Sequence, residues 1–243
     1  MKRLDFVSIF FGILERILFL PRLRKAYQKL NLDRESSPLL IMDVGANRGQ
    51  SIRFFRSLFG GVVGQFIAFE PNVDLNKEII RSASDSNLTL KNVALAESCG
   101  VKPFYFSTFV ETSSLSMPDS KSRWLQIKKL ILGKEFRFTE VDVQTLALDC
   151  FCSEHDVDEI SILKIDVEGH ELDVLQGGLQ MLSEGRIKVI QIEFHDDDMR
   201  DSQEVEIDRL LRQNNFRKVG VIRHFPGNYV EALYRYSIGW GES

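Results

Sequence analysis

The sequence predicts a doubly wound α/β fold: a mostly parallel sheet, covered by helices on both faces, that ends on an antiparallel C-terminal strand. Three observations carry this. From residue 39 onward, short β-rich apolar runs alternate with stretches of helical period, as repeated β-α-β units require. Several of these runs are apolar throughout, which suits strands buried on both faces. Glycines and acids then gather where the runs end, at the edge where open α/β sheets take ligands.

Taken in order, Leu39 to Val44 reads as the first strand and Gln50 to Phe59 as the helix after it. Val62 to Phe69 follows as a strand, Asn72 to Ser82 as a helix and Leu88 to Val93 as a third strand, giving two crossovers. Residues 97–150 break the rhythm and read as an insertion with extra strands, Phe136 to Val143 among them. The rhythm resumes with a strand at Ile160 to Ile165, a helix at Glu171 to Leu182, a strand at Val189 to Phe194 and a helix at Gln203 to Asn214. Phe216 to Ile222 and Leu233 to Tyr236 close the sheet as an antiparallel pair.

With 243 residues and 44% hydrophobic content, the chain can bury one sizeable core, read as a domain over 37–243 preceded by a helical segment over 1–36. A net charge of -4 gives no general attraction to phosphate backbones and argues against nucleic acid as the partner. Three cysteines, Cys99, Cys150 and Cys152, lack CxxC spacing, which speaks against a disulfide framework and for a reducing, cytoplasmic compartment. Phe6 to Leu20 is apolar between basic flanks, but Glu15 and Arg16 interrupt it and no small-residue cleavage site follows. An amphipathic helix remains, docked on the domain or, through residues 1–25, on the cytoplasmic face of a membrane.

The first strand runs into Asp43-Val44-Gly45-Ala46-Asn47-Arg48-Gly49 and then a helix, a loop in which glycines let backbone approach a ligand at a helix N-terminus. Neither GxGxxG nor GK[ST] is present, so dinucleotide and P-loop readings lose their main support. Asp43 would repel a pyrophosphate but suits an ammonium, such as the one carried by S-adenosylmethionine (SAM). Glu70, ending the second strand beside Asn72, is placed for ribose hydroxyls, and Asn92 with Val93 for the edge and face of an adenine.

A second group of polar residues ends two later strands: Asp166, Glu168 and His170 after the first, Glu193 and His195 at the second. Such clustering of titratable groups at a sheet's carboxyl edge suggests chemistry. Two roles stay open: a general base among Asp166, Glu168, His170 and His195, or a divalent cation held by Asp166, Glu193 and His195 that acidifies an acceptor hydroxyl. No GxSxG elbow is present, and neither Cys150 nor Cys152 has a recognisable histidine partner.

At Asp43 to Gly49, Phe69 to Asn72, Asn92 to Ala94, Ser113 to Leu115, Leu163 to Gly178 (LKIDVEGHELDVLQGG) and Ile192 to His195, the chain resembles the FkbM-type methyltransferases. The resemblance covers roughly residues 39 to 195 and implies a SAM-dependent enzyme on a Rossmann-like sheet. It also implies O-methylation, often of a sugar or polyketide-like hydroxyl, with Asp43, Gly45, Asn47 and Gly49 around the amino-acid part of SAM and Glu70 on the ribose. Acceptor recognition is expected in the N-terminal helix and in residues 116–138. Two rivals stand beside this reading: an NAD-type oxidoreductase on the same fold and a non-catalytic SAM-binding module.

Overall fold

The computed structural model describes residues 19–32, 38–83, 87–107, 115, 138–195, 200–224 and 229–237, with the side chains of residues 107, 195 and 200–202 excepted. The expected helix over Phe6 to Leu20 and the segment 116–138 fall almost wholly outside these residues. A helix α1, Leu20–Gln28, opens with Pro21 in its first turn, where the missing N–H costs nothing, and buries Leu23 and Tyr27 one turn apart.

The main sheet is built from β1 (Leu39–Val44), β2 (Val63–Phe69), β3 (Leu88–Lys91), β7 (Ile160–Ile165), β8 (Ile187–His195), β9 (Phe216–Arg223) and β10 (Tyr229–Tyr236). Their order is β3-β2-β1-β7-β8-β10-β9. β1 runs parallel to both β2 and β7, and β7 parallel to β8. β10 is inserted antiparallel between β8 and β9, which is the predicted architecture with its reversed C-terminal strand. Between β3 and β7 lie β4 (Ala94–Leu95), β5 (Gly100–Ser107) and β6 (Phe138–Leu146), which form a separate three-stranded sheet over Ala94, Phe104 and Val143.

Helices cover both faces. α2 (Gln50–Phe59) and α3 (Asn76–Ser82) lie with α1 on one face, where Ile52, Phe55, Phe59 and Tyr27 pack on Leu39, Ile41, Phe66 and Ile162. The other face receives α4 (Leu148–Glu154), α5 (Glu171–Gln176), α6 (Leu179–Ser183) and α7 (Arg200–Gln213), with Phe151, Leu175, Met181 and Leu211 against Met42, Val44, Leu163 and Ile190. Strands β1 and β7 have both faces covered, so their side chains are apolar at nearly every position. Ser161 and Lys164 are the exceptions within Ile160–Ile165, and both are buried.

Several boundaries differ from those predicted, among them β10, which starts at Tyr229 rather than Leu233, and α3, which starts at Asn76 rather than Asn72; two further differences have a visible cause. The expected single helix over Glu171 to Leu182 is two short ones, because Gly177 and Gly178 bring the chain so close to the Ala96 carbonyl and the Leu148 side chain that a Cβ at either position would collide. The third strand stops at Lys91 rather than Val93, since Asn92 turns its side chain onto the Glu70 carbonyl.

Candidate active site

The strand order reverses between β1 and β7: the chain leaves β1 toward β2 and β3, then returns to add β7 on β1's other side. That reversal opens a crevice at the carboxyl ends of the two strands, where Asp43 and Asp166 lie. The loop after β1 is set by backbone contacts. Gly45 and Ala46 donate to the Phe69 carbonyl, and Gly49 donates back to Ala46 at 2.7 Å. Gly45, Asn47 and Gly49 all adopt positive φ, at 78°, 47° and 72°. A Cβ on Gly45 would run into the Asp166 carbonyl, and one on Gly49 into the Ser82 side chain. These glycines are therefore required first by the chain's own packing.

Asp43 is 1% exposed, and neither carboxylate oxygen has a hydrogen-bond partner among the described residues. Burial pushes its carboxyl up from 3.8 to about 6; the Lys164 ammonium and the Ser51 side chain pull it down, and Asp166 adds to the rise. The Oδ1 of Asn47 is likewise buried without a partner. Glu70 accepts 2.9 Å hydrogen bonds from the backbone N–H groups of Asn47 and Asn72. Burial outweighs these bonds and lifts its carboxyl to about 7. The orphaned atoms of Asp43 and Asn47 are all acceptors, which suits a ligand rich in donors: an ammonium and hydroxyls, as in SAM. Asn92 is engaged elsewhere, donating to the Glu70 carbonyl and pairing amide to amide with Asn76, so it braces the end of β2.

On the β7 side, Lys164 donates to Asp166 at 3.0 Å; its side chain is 6% exposed and that of Asp166 27%. Burial opposes the charge on Lys164, but Asp166, Asp43, Glu231 and Glu193 together outweigh it and hold the ammonium firmly protonated. Glu193 faces Glu231 across the β8–β10 pair, and the two carboxyls share a hydrogen bond. Burial pushes both upward, so one of the pair holds a proton. Gln191 donates to Glu231 and accepts from the Tyr27 hydroxyl, tying α1 into the same buried row. Asp43, Asp166 and Glu193 thus form one electrostatic group, with Glu168 close enough to Glu193 to act on it.

The turn after β7 is held in sparsely populated backbone, with Glu168 at φ 52° and Gly169 at φ 98°. Glu171, 2% exposed, accepts from the N–H of Gly169 at 3.0 Å, and Gln203 of α7 donates to the Gly169 carbonyl. His170 pairs through Nδ1 with Asp173 Oδ2 at 2.7 Å; this hydrogen bond lowers the Asp173 carboxyl against the opposing effect of its burial. The His195 side chain lies outside the described residues, and among those described no group of three or more His, Cys, Asp or Glu is arranged to hold a metal ion.

Sequence reasoning missed Lys164, Gln191, Glu231, Tyr27 and Asp173. Lys164 left a signal, a charge in an otherwise apolar strand, and Asp173 sits three residues after His170, one helical turn on. Glu231 and Tyr27 left none, because only strand register and helix docking bring them in.

Residues 43–218 match the model of the methyltransferase FkbM domain. The chain is 25% identical over 202 residues to the 2-O-methyltransferase NoeI of Sinorhizobium fredii (strain NBRC 101917 / NGR234), covering 76% of this chain and 77% of that protein. Its fold is similar to that of methyltransferase FkbM from Methylobacillus flagellatus KT, with a TM-score of 0.53 and 17% identity over 82% of this chain. The chain spans 44% of that larger protein. With its match over most of its length, and a Rossmann-like sheet whose switch point carries the buried acceptors, this chain belongs to the FkbM family of SAM-dependent methyltransferases.

Proposed function

We propose that the chain is an O-methyltransferase that methylates a hydroxyl of a saccharide or related metabolite. The observation that carries this is the His170–Asp173 pair, placed in the turn after β7 and next in the sheet to the acceptor-lined loop of β1. With Nδ1–H donated to Asp173, the Nε2 of His170 keeps its lone pair and can take the proton of an acceptor hydroxyl. The name of the Sinorhizobium relative, a 2-O-methyltransferase, supports an oxygen acceptor.

SAM, when bound, supplies a methyl group made electrophilic by its sulfonium. The chain's own residues do the rest. Asp43 and the Asn47 side-chain Oδ1 would accept from the ammonium, Glu70 would use its remaining lone pairs for ribose hydroxyls, and the turn at Glu168 and Gly169 would align His170 with the acceptor oxygen. Asp166, partly exposed and neutralised by Lys164, lines the crevice as a polar contact for the acceptor. The cysteine usage supports a reducing, cytoplasmic compartment for the reaction. Among the described residues no helix is long and apolar enough to cross a membrane.

Calorimetric titration with S-adenosylhomocysteine and, separately, with NADH tests the cofactor; saturable binding of the first alone is expected, and preferential NADH binding would return the chain to the oxidoreductase class. His170→Ala is then expected to lower turnover by about a hundredfold or more, with S-adenosylhomocysteine affinity held within about twofold. Equal loss of both would remove His170 from the base role.

A further inference from the structure

We infer that the face formed by α1 and α2 docks on an anionic lipid surface. These two helices contain five Arg or Lys residues and no Asp or Glu, with Lys29 directly after α1, in a chain whose 35 acids outnumber its 31 Lys and Arg. The elements are contiguous: Arg24 of α1 donates to the Ser57 carbonyl of α2 and lies 6.0 Å from the Phe54 ring, while α1 also touches β9. Arg22, Lys25 and Lys29 are exposed and fall at helical spacing on the side of α1 away from buried Leu23 and Tyr27. Arg53 is exposed on α2.

Among the described residues, Arg24 donates to Ser57, Arg53 to the Arg48 carbonyl and Arg56 to the Ser82 carbonyl, all neutral oxygens. An apolar stretch accompanies the cations: the Phe6 to Leu20 run leads in sequence directly into α1. A polybasic surface with adjoining apolar residues matches the two signals that stable attachment to an anionic bilayer needs. A nucleic acid would be recognised by the cations alone, against the chain's overall negative charge. Because α2 starts at the Asp43–Gly49 loop, docking by this face brings the carboxyl edge of the sheet close to the bilayer.

The test sediments the full chain with vesicles of phosphatidylcholine, alone and with about 30% phosphatidylglycerol. Binding is expected only to the anionic vesicles, and should fall at least tenfold as salt rises to about 0.5 M. With each surface cation worth about fivefold, reversing three (Arg22→Glu, Lys25→Glu, Lys29→Glu) should weaken binding by about a hundredfold or more. Arg209→Glu, on α7 across the sheet, should leave it unchanged. If the triple reversal melts early, the same three positions changed to Gln supply the folded variant. Equal binding to neutral vesicles, or binding that survives the substitutions, would overturn the proposal. So would tighter binding to single-stranded RNA that the same substitutions abolish. None of these outcomes depends on the methyl-transfer reading.

Discussion

An Asp43→Asn chain is expected to melt higher than the parent at pH 8 and to bind S-adenosylhomocysteine less tightly. Asp43 is fully buried with no hydrogen-bond partner among the described residues, and its carboxyl rises from 3.8 to about 6. At about 1.4 kcal/mol per tenfold, keeping it ionised at neutral pH costs the folded chain about 3 kcal/mol. The sign follows from the direction of the rise. The folded state holds the proton longer than the unfolded one, so this contribution to stability is fully present below about pH 4 and is lost as pH climbs through about 6. Asn cannot ionise and does not suffer that loss. The difference in melting temperature should therefore be near zero at pH 4 and reach about 6–12 °C above pH 7, the span that about 3 kcal/mol gives in a chain of this size. Glu70 titrates in both chains and largely cancels from the difference. Losing the carboxylate should weaken S-adenosylhomocysteine binding by about tenfold or more, the worth of a charge-assisted hydrogen bond. Thermal melts across pH 4–8, repeated with the ligand, read both effects. A variant that melts with or below the parent at pH 8 would mean that Asp43 is stably paired, and unchanged ligand affinity would remove it from the ammonium site.

Gly45→Ala should cost more than about 2 kcal/mol, because it combines φ 78° with a Cβ driven into the Asp166 carbonyl; an unchanged urea midpoint would show that β1 and β7 do not approach so closely. Cys99 and Cys150 are both exposed, the neighbouring Cys99 thiol is the largest of the causes that push the Cys150 thiol up, and the Ala147 N–H at the start of α4 donates to Cys99 Sγ. Diamide should join the two, closing a loop of about 50 residues worth about 4 kcal/mol of stability. Cys150→Ser should abolish the cross-link and Cys152→Ser should not; a cross-link that persists in Cys150→Ser would refute the pairing.

The sites that carry this chemistry were unevenly legible. Asp43 and Glu70 could be read because each ends an apolar strand and precedes a turn, so their positions at the carboxyl edge follow from local pattern alone. The grouping of Asp166 with Glu193 could be anticipated on the same ground. Asn92 was read as an adenine contact, but its side chain closes on Asn76 and the Glu70 carbonyl, a pairing across two connections that no local pattern encodes. The cysteines lack CxxC spacing and so read as unpaired, yet the small sheet folds Cys99 back onto the first turn of α4.

The sequence by itself determined the α/β class, the extents of β1, α2 and β7, and the two strand ends where the site lies. Burial on one or both faces imposes a periodicity that can be read along a single chain. Only the tertiary structure decided which polar groups pair: Lys164 with Asp166 and Asp43, Glu193 with Glu231, Tyr27 with Gln191, and His170 with Asp173. Most of these pairs join residues far apart in the chain, and a shift of one residue in strand register would turn the side chains of the shifted strand to the other face. Their partnerships therefore belong to the packed sheet, where low polarity makes each one strong, and not to any single segment.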